Sequence, residues 1–222
     1  MKNKYIFLAL FAISLLSSCE KESEGLSSIL KFEIVDDETM LVQVGTEFKD
    51  PGIKITLDGK DVSSDVKITS NVNSNTVGLY HIAYTYVNDN TGLVTKERTV
   101  IVCDPTVEAD MSGEYVTTSN TERVGTSYPD QPVTISKIAP GFFHISDFLG
   151  GFYATFRAYG RAYACSGYVQ LESNNTIKLL SSSILPWGDT IDGLTDAVYD
   201  PVAKTVKWKA EYAGMEFNVE LN

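Results

Sequence analysis

The sequence predicts an all-β protein of two domains, a small sandwich followed by an antiparallel β-barrel or sandwich of about eight strands. Three observations lead there. The chain holds 12 Tyr and 10 Phe among many Val, Ile and Thr residues, side chains that fit a pleated, half-buried surface. Apolar residues alternate with polar ones in short runs, and Gly, Pro, Asn and Asp clusters separate those runs at close intervals. After the first 18 residues no stretch sustains a helical period.

The chain opens with Lys2 and Lys4, an apolar run from Tyr5 to Leu16, and the small residues Ser17 and Ser18 before Cys19. That is the order of a secretory signal, 1–18. A dozen apolar residues are too few for a membrane-spanning helix, which needs about 20. Leu16-Ser17-Ser18-Cys19 resembles the bacterial lipobox, which implies that Cys19 is the lipid attachment site and the new N-terminus. Residues 19–29 then form an acidic tether, Glu20-Lys21-Glu22-Ser23-Glu24-Gly25, too polar to bury a core. A Lys among acids behind the lipidated Cys resembles the surface-export signal of Bacteroidetes lipoproteins, and implies an outer-membrane protein facing the cell exterior. A plain solvated tether is the alternative.

Removing the signal takes away Lys2 and Lys4 and no acid, so the net charge moves from −11 to −13. Such a surface repels phosphate backbones, which excludes nucleic acid as a partner. Cys103 and Cys165 remain beside Cys19. They fall in different domains at no framework spacing, and are expected to be separate buried thiols. With two histidines, His81 and His144, no zinc site can be assembled from histidine. Asp104, Glu108 and Asp110 do not follow a calcium-loop spacing, and no metal or cofactor is expected.

Residues 30–103 form the first domain. Its clearest strand is Leu79 to Val87, with Tyr80, Ile82, Tyr84 and Tyr86 on one face; the turn Asn88-Asp89-Asn90-Thr91-Gly92 returns the chain into Val94 to Val102 as a hairpin at the sheet centre. Val44-Gly45-Thr46-Glu47-Phe48-Lys49-Asp50-Pro51-Gly52, Gly78-Leu79-Tyr80 and Arg98-Thr99-Val100 resemble a bacterial immunoglobulin-like family that serves as spacer or accessory module in surface proteins. Residues 104–111, with Pro105 and three acids, read as a linker. Residues 112–222 form the second domain, with strands expected around Tyr115, Val133 to Ile138, Phe142 to Phe148, Phe152 to Tyr159, Tyr168 to Leu171, Ile177 to Leu180, Val206 to Trp208 and Met215 to Leu221. Ile145-Ser146-Asp147-Phe148-Leu149-Gly150-Gly151-Phe152-Tyr153 and Trp208-Lys209-Ala210-Glu211-Tyr212-Ala213-Gly214 complete a resemblance to two-domain surface lipoproteins of gut Bacteroidetes. Proteins of that kind tend to be encoded beside glycan importers.

No catalytic set is expected. His144 and Asp147 would point to opposite faces of a strand, and no nucleophile elbow exists. Asp147, Asp189 and Glu211 are the carboxylates that a glycosidase could use. Aromatics carry the binding expectation: as a strand, Phe152 to Tyr159 puts Tyr153, Thr155, Arg157 and Tyr159 on one face, with Arg161 close behind and Trp187 in a loop. Rings stack on apolar sugar faces while polar neighbours fix hydroxyls. The candidate ligand-binding residues are therefore Tyr153, Arg157, Tyr159, Arg161 and Trp187; Trp208, alternating with Val206 and Ala210, is expected in the core. Asp189-Thr190-Ile191 also fits a short O-glycosylation motif. Three readings stay open: a non-catalytic glycan-binding accessory of a polysaccharide uptake system, a structural or interaction subunit of an outer-membrane complex such as an importer, and a small apolar ligand binder in a lipocalin-like barrel.

Overall fold

The structure, a computed structural model, describes residues 28–89, 92–118 and 125–222. Cys19, the signal and most of the tether lie outside them, as do Asn90 and Thr91 of the expected hairpin turn. The first domain is a sandwich. One sheet holds β1 (Leu30–Ile34), β3 (Ile53–Leu57) and β4 (Lys60–Asp61) in the order β1-β3-β4; the other holds β2 (Thr39–Gln43), β5 (Lys67–Ser70), β6 (Gly78–Asn88) and β7 (Gly92–Cys103) in the order β2-β7-β6-β5. Only β2 runs parallel to its neighbour. The hairpin β6–β7 is central as expected, and Ile82, Tyr84 and Tyr86 face a core with Phe32, Ile55, Val100 and Val102.

Inside this core lies a charge that the alternation does not announce. Arg98 is fully buried. Its Nη2 donates to the carbonyls of Val35 (2.5 Å) and Gly52 (3.0 Å), its Nη1 to the Asp37 carbonyl (2.9 Å) and Met40 Sδ (2.9 Å), and its Nε to the Tyr84 hydroxyl (3.1 Å). Asp50 Oδ1 lies 3.2 Å from Nε and accepts the Tyr84 hydroxyl at 2.7 Å. Burial, reinforced by that bond to Asp50, pushes the Tyr84 hydroxyl up to about 12. All five guanidinium N–H groups thus find acceptors. The Asp50-Pro51-Gly52 segment, read from sequence as turn chemistry, is also the counter-ion of this arginine.

Among the described residues the second domain has eight strands in two antiparallel sheets. β8 (Gly113–Val116), β9 (Pro132–Ala139), β10 (Phe142–Ile145), β11 (Ser166–Leu171) and β12 (Ile177–Ser183) form a meander; β13 (Gly193–Asp200), β14 (Thr205–Tyr212) and β15 (Met215–Leu221) form the other sheet. Single bridges, Thr117 to Leu221 and Thr176 to Val198, touch the sheets at their edges, so the domain is a sandwich and not a closed barrel. Phe143, Phe148, Phe217, Met111, Tyr128 and Trp208 fill the space between the sheets. A lipocalin-like ligand would need that space. At the start of β11 a Cβ on Gly167 would lie 2.0 Å from the Ser181 carbonyl oxygen, so only glycine lets β11 and β12 approach this closely.

The number eight hides two differences from the sequence reading. The segment Phe152 to Tyr159 is not a strand, and β13 was not expected. In β13 the register shifts between Thr195 and Val198, and Asp196 has φ +50°; this bulge breaks the alternation that would have signalled it. Val107 and Met111, in the segment read as a linker, are buried in the second core. A separate apolar cluster of Ile101, Cys103, Ala139 and Phe142, flanked by Val77, Leu79, Tyr168 and Leu180, joins residues of the two domains. Cys103 and Cys165 are both buried and free.

Candidate functional site

Between β10 and β11 the chain makes a closed excursion. Asp147 Oδ1 accepts from the backbone N–H of Leu149 (2.9 Å) and of Cys165 (3.2 Å), and Phe148 N–H donates to the Cys165 carbonyl (2.7 Å). One carboxylate therefore pins both ends. Gly150 and Gly151 follow with φ +58° and +79°, backbone that turns the chain out of the strand direction. A π-helical turn, Phe152–Phe156, begins there, with Phe156 N–H donating to the Gly151 carbonyl (2.9 Å) and Arg157 N–H to that of Phe152 (2.8 Å). Ala158 and Gly160, again at positive φ, lead into a 3₁₀ turn, Arg161–Tyr163. π turns recur at functional sites.

The face alternation expected for Phe152 to Tyr159 is thereby overturned, yet the aromatic candidates still meet. The loop between β12 and β13 is closed by Ile184 N–H to the Asp189 carbonyl (2.8 Å) and Gly188 N–H to the Ile184 carbonyl (2.9 Å), and it presents Trp187 to the excursion. The Trp187 ring lies 4.9 Å from Tyr153 at 86°, 4.9 Å from Tyr163 at 60° and 6.2 Å from Tyr159 at 83°. Tyr159 in turn sits 5.8 Å from Tyr153 and 5.5 Å from Tyr163. Edge-to-face packing of this kind holds rings in fixed orientations. The patch stays open to solvent: Trp187 is 39% exposed, Tyr159 50% and the neighbouring Leu185 81%.

The two arginines stand at the margin of this patch. Arg157 Cζ lies 6.0 Å from the Phe152 ring centroid, and Arg161 opens the 3₁₀ turn that carries Tyr163; both are exposed. Tyr163 was not singled out from the sequence, although it belongs to the same tyrosine-rich run. Beginning at Gly188, next to Trp187 in the chain, a groove of about 370 Å³ is lined by Gly188, Asp189, Thr190, Asp192, Tyr212 and Ala213. Tyr212 donates to Asp189 Oδ2 at 2.7 Å; burial, then this bond, raises its hydroxyl above the usual tyrosine range. The Tyr212 ring is 6.1 Å from Tyr153, so groove and patch are contiguous. A larger concavity, about 570 Å³, lies elsewhere, along β13, β14 and β15 with Asp196, Lys207 and Lys209 in its wall, and it has no exposed ring.

His144 and Asp147 do not form a dyad. The His144 ring packs edge-on against Tyr168 at 5.2 Å, and burial lowers its pKa. Asp147 is buried, its Oδ2 has no partner, and burial raises its pKa to about 6, against the opposing pull of its backbone hydrogen bonds. Because the folded-state value exceeds the unfolded one, the contribution to stability is complete below about pH 4 and is lost as pH rises through 6. The loss amounts to about 3 kcal/mol at the conversion of 1.36 kcal/mol per unit. Asp147→Asn is expected to remove this fall. Melting temperatures of both proteins between pH 4 and pH 7 check it, and parallel curves would contradict it.

A family model for a bacterial surface protein Ig-like domain matches residues 32–102, and a second family model, described as a C-terminal domain, matches residues 104–222. Among solved structures, the lipoprotein BT2262 from Bacteroides thetaiotaomicron is 34% identical over 87% of this chain and 100% of that one, with a TM-score of 0.49. The chain belongs to the family whose C-terminal domain model spans residues 104–222, more than half of its length. The two family models together make it a bacterial surface protein of two β domains. A search of curated proteins returns no match. Neither family description names an activity. Among the described residues no helix is long and apolar enough to cross a membrane.

Proposed function

We propose that the protein is a non-catalytic carbohydrate-binding lipoprotein of the outer membrane, facing outward as an accessory of a polysaccharide uptake system. Cys19 carries the lipid, and the second domain carries the ligand. The observation behind this reading is the exposed Trp187, ringed by Tyr153, Tyr159 and Tyr163 and bordered by the polar groove of Asp189, Thr190 and Asp192. Ligand sites combine apolar and aromatic walls with a few placed polar groups. A sugar ring supplies both counterparts, C–H faces for the rings and hydroxyls for the groove and for Arg157 and Arg161.

Affinity electrophoresis of the folded protein through gels containing individual polysaccharides tests the proposal. At least one polysaccharide is expected to retard the wild type. Trp187→Ala should weaken that retardation at least tenfold, about 1.4 kcal/mol, with an unchanged melting temperature. Silence across a broad panel would overturn the reading.

A further inference from the structure

We infer that the carbohydrate taken by the Trp187 patch is an acidic one, and that Arg157 and Arg161 bind its carboxylate or sulfate group. This rests on the carbohydrate-binding reading and names the class of its ligand. The placement of charge motivates it. The chain holds 29 Asp and Glu residues in 222, yet none falls between Phe148 and Leu171. That stretch contains the excursion and β11, and its charged residues are Arg157 and Arg161 alone.

Both arginines are exposed. Arg98 pairs with Asp50, whereas among the described residues no ion pair involves Arg157 or Arg161. Exposed ion pairs add little to stability, so these two arginines lose little by standing alone, and their donor forks stay open to a ligand. A guanidinium fork fits the two oxygens of a carboxylate, and a sulfate presents a similar pair. The backbone fixes where the arginines stand. Tyr159 N–H donates to the Tyr153 carbonyl, Gly160 N–H to that of Ala154 and Tyr163 N–H to that of Gly160, each at 3.0 Å. These bonds fold the segment from Arg157 to Tyr163 back on the π turn, so one closed backbone carries both arginines and the three tyrosines of the patch. Tyr159 is two residues from each arginine, and its ring lies 6.2 Å from that of Trp187. The β12–β13 loop supplies the opposite charge. Asp189 Oδ2 accepts from Tyr212 and Asp192 Oδ2 from the Ala213 N–H at 3.1 Å, so the groove offers carboxylate oxygens that accept sugar hydroxyls and repel an acid group. A sugar stacked on the aromatic rings therefore meets donors for its acid group along the excursion and acceptors for its hydroxyls along the loop.

The test is affinity electrophoresis of the full chain through gels containing polygalacturonate, alginate, hyaluronan or chondroitin sulfate, each run beside its carboxyl-reduced or desulfated form. At least one acidic polysaccharide is expected to retard the wild type, with its neutralised form about tenfold weaker or more, the scale of one charge-assisted hydrogen bond. Arg157→Gln and Arg161→Gln should each weaken retardation by the acidic form, and added salt should do the same, while melting temperatures stay unchanged. Loss on carboxyl reduction assigns the arginines a carboxylate, and loss on desulfation a sulfate. Equal or stronger retardation by the neutral forms overturns the inference and leaves the carbohydrate reading standing. Acidic retardation that both arginine variants retain overturns it in the same way. Acidic retardation that survives Trp187→Ala is ion exchange away from the patch, and also overturns it. Silence from every form, with the wild type folded, overturns the carbohydrate reading and this inference together.

Discussion

Arg98→Ala is expected to cost the first domain about 4 kcal/mol or more, because it leaves the Asp50 carboxylate, the Tyr84 hydroxyl and the carbonyls of Val35, Asp37 and Gly52 without the donor that serves them all. Removing one partner of a buried ion pair typically costs 3–5 kcal/mol, against a total stability of roughly 5–15 kcal/mol for a natural domain. Arg98→Lys should lose most of the same stability, since an ammonium cannot reproduce the planar fork of five donors. Hydrogen exchange reads this locally, as lost protection of amides in β2, β6 and β7. A denaturation midpoint for Arg98→Ala close to that of the wild type would show that the network contributes little.

Trp208→Ala is the corresponding lesion in the second domain. The indole is buried, donates to the Phe148 carbonyl at 2.7 Å and packs edge-on to the Phe148 ring at 6.2 Å. Truncating a core tryptophan costs about 3–5 kcal/mol, and the abandoned carbonyl adds about 1 kcal/mol. The consequence reaches the candidate site, because Phe148 follows Asp147 near the start of the pinned excursion that carries Tyr153, Tyr159 and Tyr163. Urea denaturation should show the loss of stability. Polysaccharide retardation should vanish with it under conditions where the variant remains folded. Trp208→Phe, which keeps most of the volume and loses only the hydrogen bond, should be milder on both counts; equal losses from the two variants would contradict the packing account.

Much of the fold is legible in the sequence where one face of a strand is buried. Tyr80, Ile82, Tyr84 and Tyr86 announce β6, and Val206, Trp208 and Ala210 announce β14, since period-two alternation follows directly from the pleat. The excursion is illegible for the same reason. Phe152-Tyr153-Ala154-Thr155-Phe156-Arg157 alternates like a strand, but Gly150 and Gly151 at positive φ divert the chain into a π turn, and only the three-dimensional setting, with Gln131 and Thr155 closing around Gly151, selects that outcome. Arg98 is invisible because its partners come from positions 35 to 84, and nothing local marks an arginine as buried. At the candidate site the residue types were readable, whereas Tyr163 and the groove around Asp189 required three separate segments to converge. Tyr153, Tyr159 and Trp187 were grouped from composition and do meet, through a geometry other than the expected strand face.

The central claim is that Trp187 and its tyrosines bind carbohydrate, and the chain contains only two tryptophans, one exposed and one buried. Titrating the folded protein with the oligosaccharide of a retarding polysaccharide, while following heat and tryptophan emission together, tests the claim at its own residue. The account predicts a saturable heat, a parallel change in emission, and protection of the exposed tryptophan from acrylamide, all lost in Trp187→Ala. Saturable binding that leaves emission and quenching unchanged and persists in Trp187→Ala would place the ligand elsewhere and contradict it.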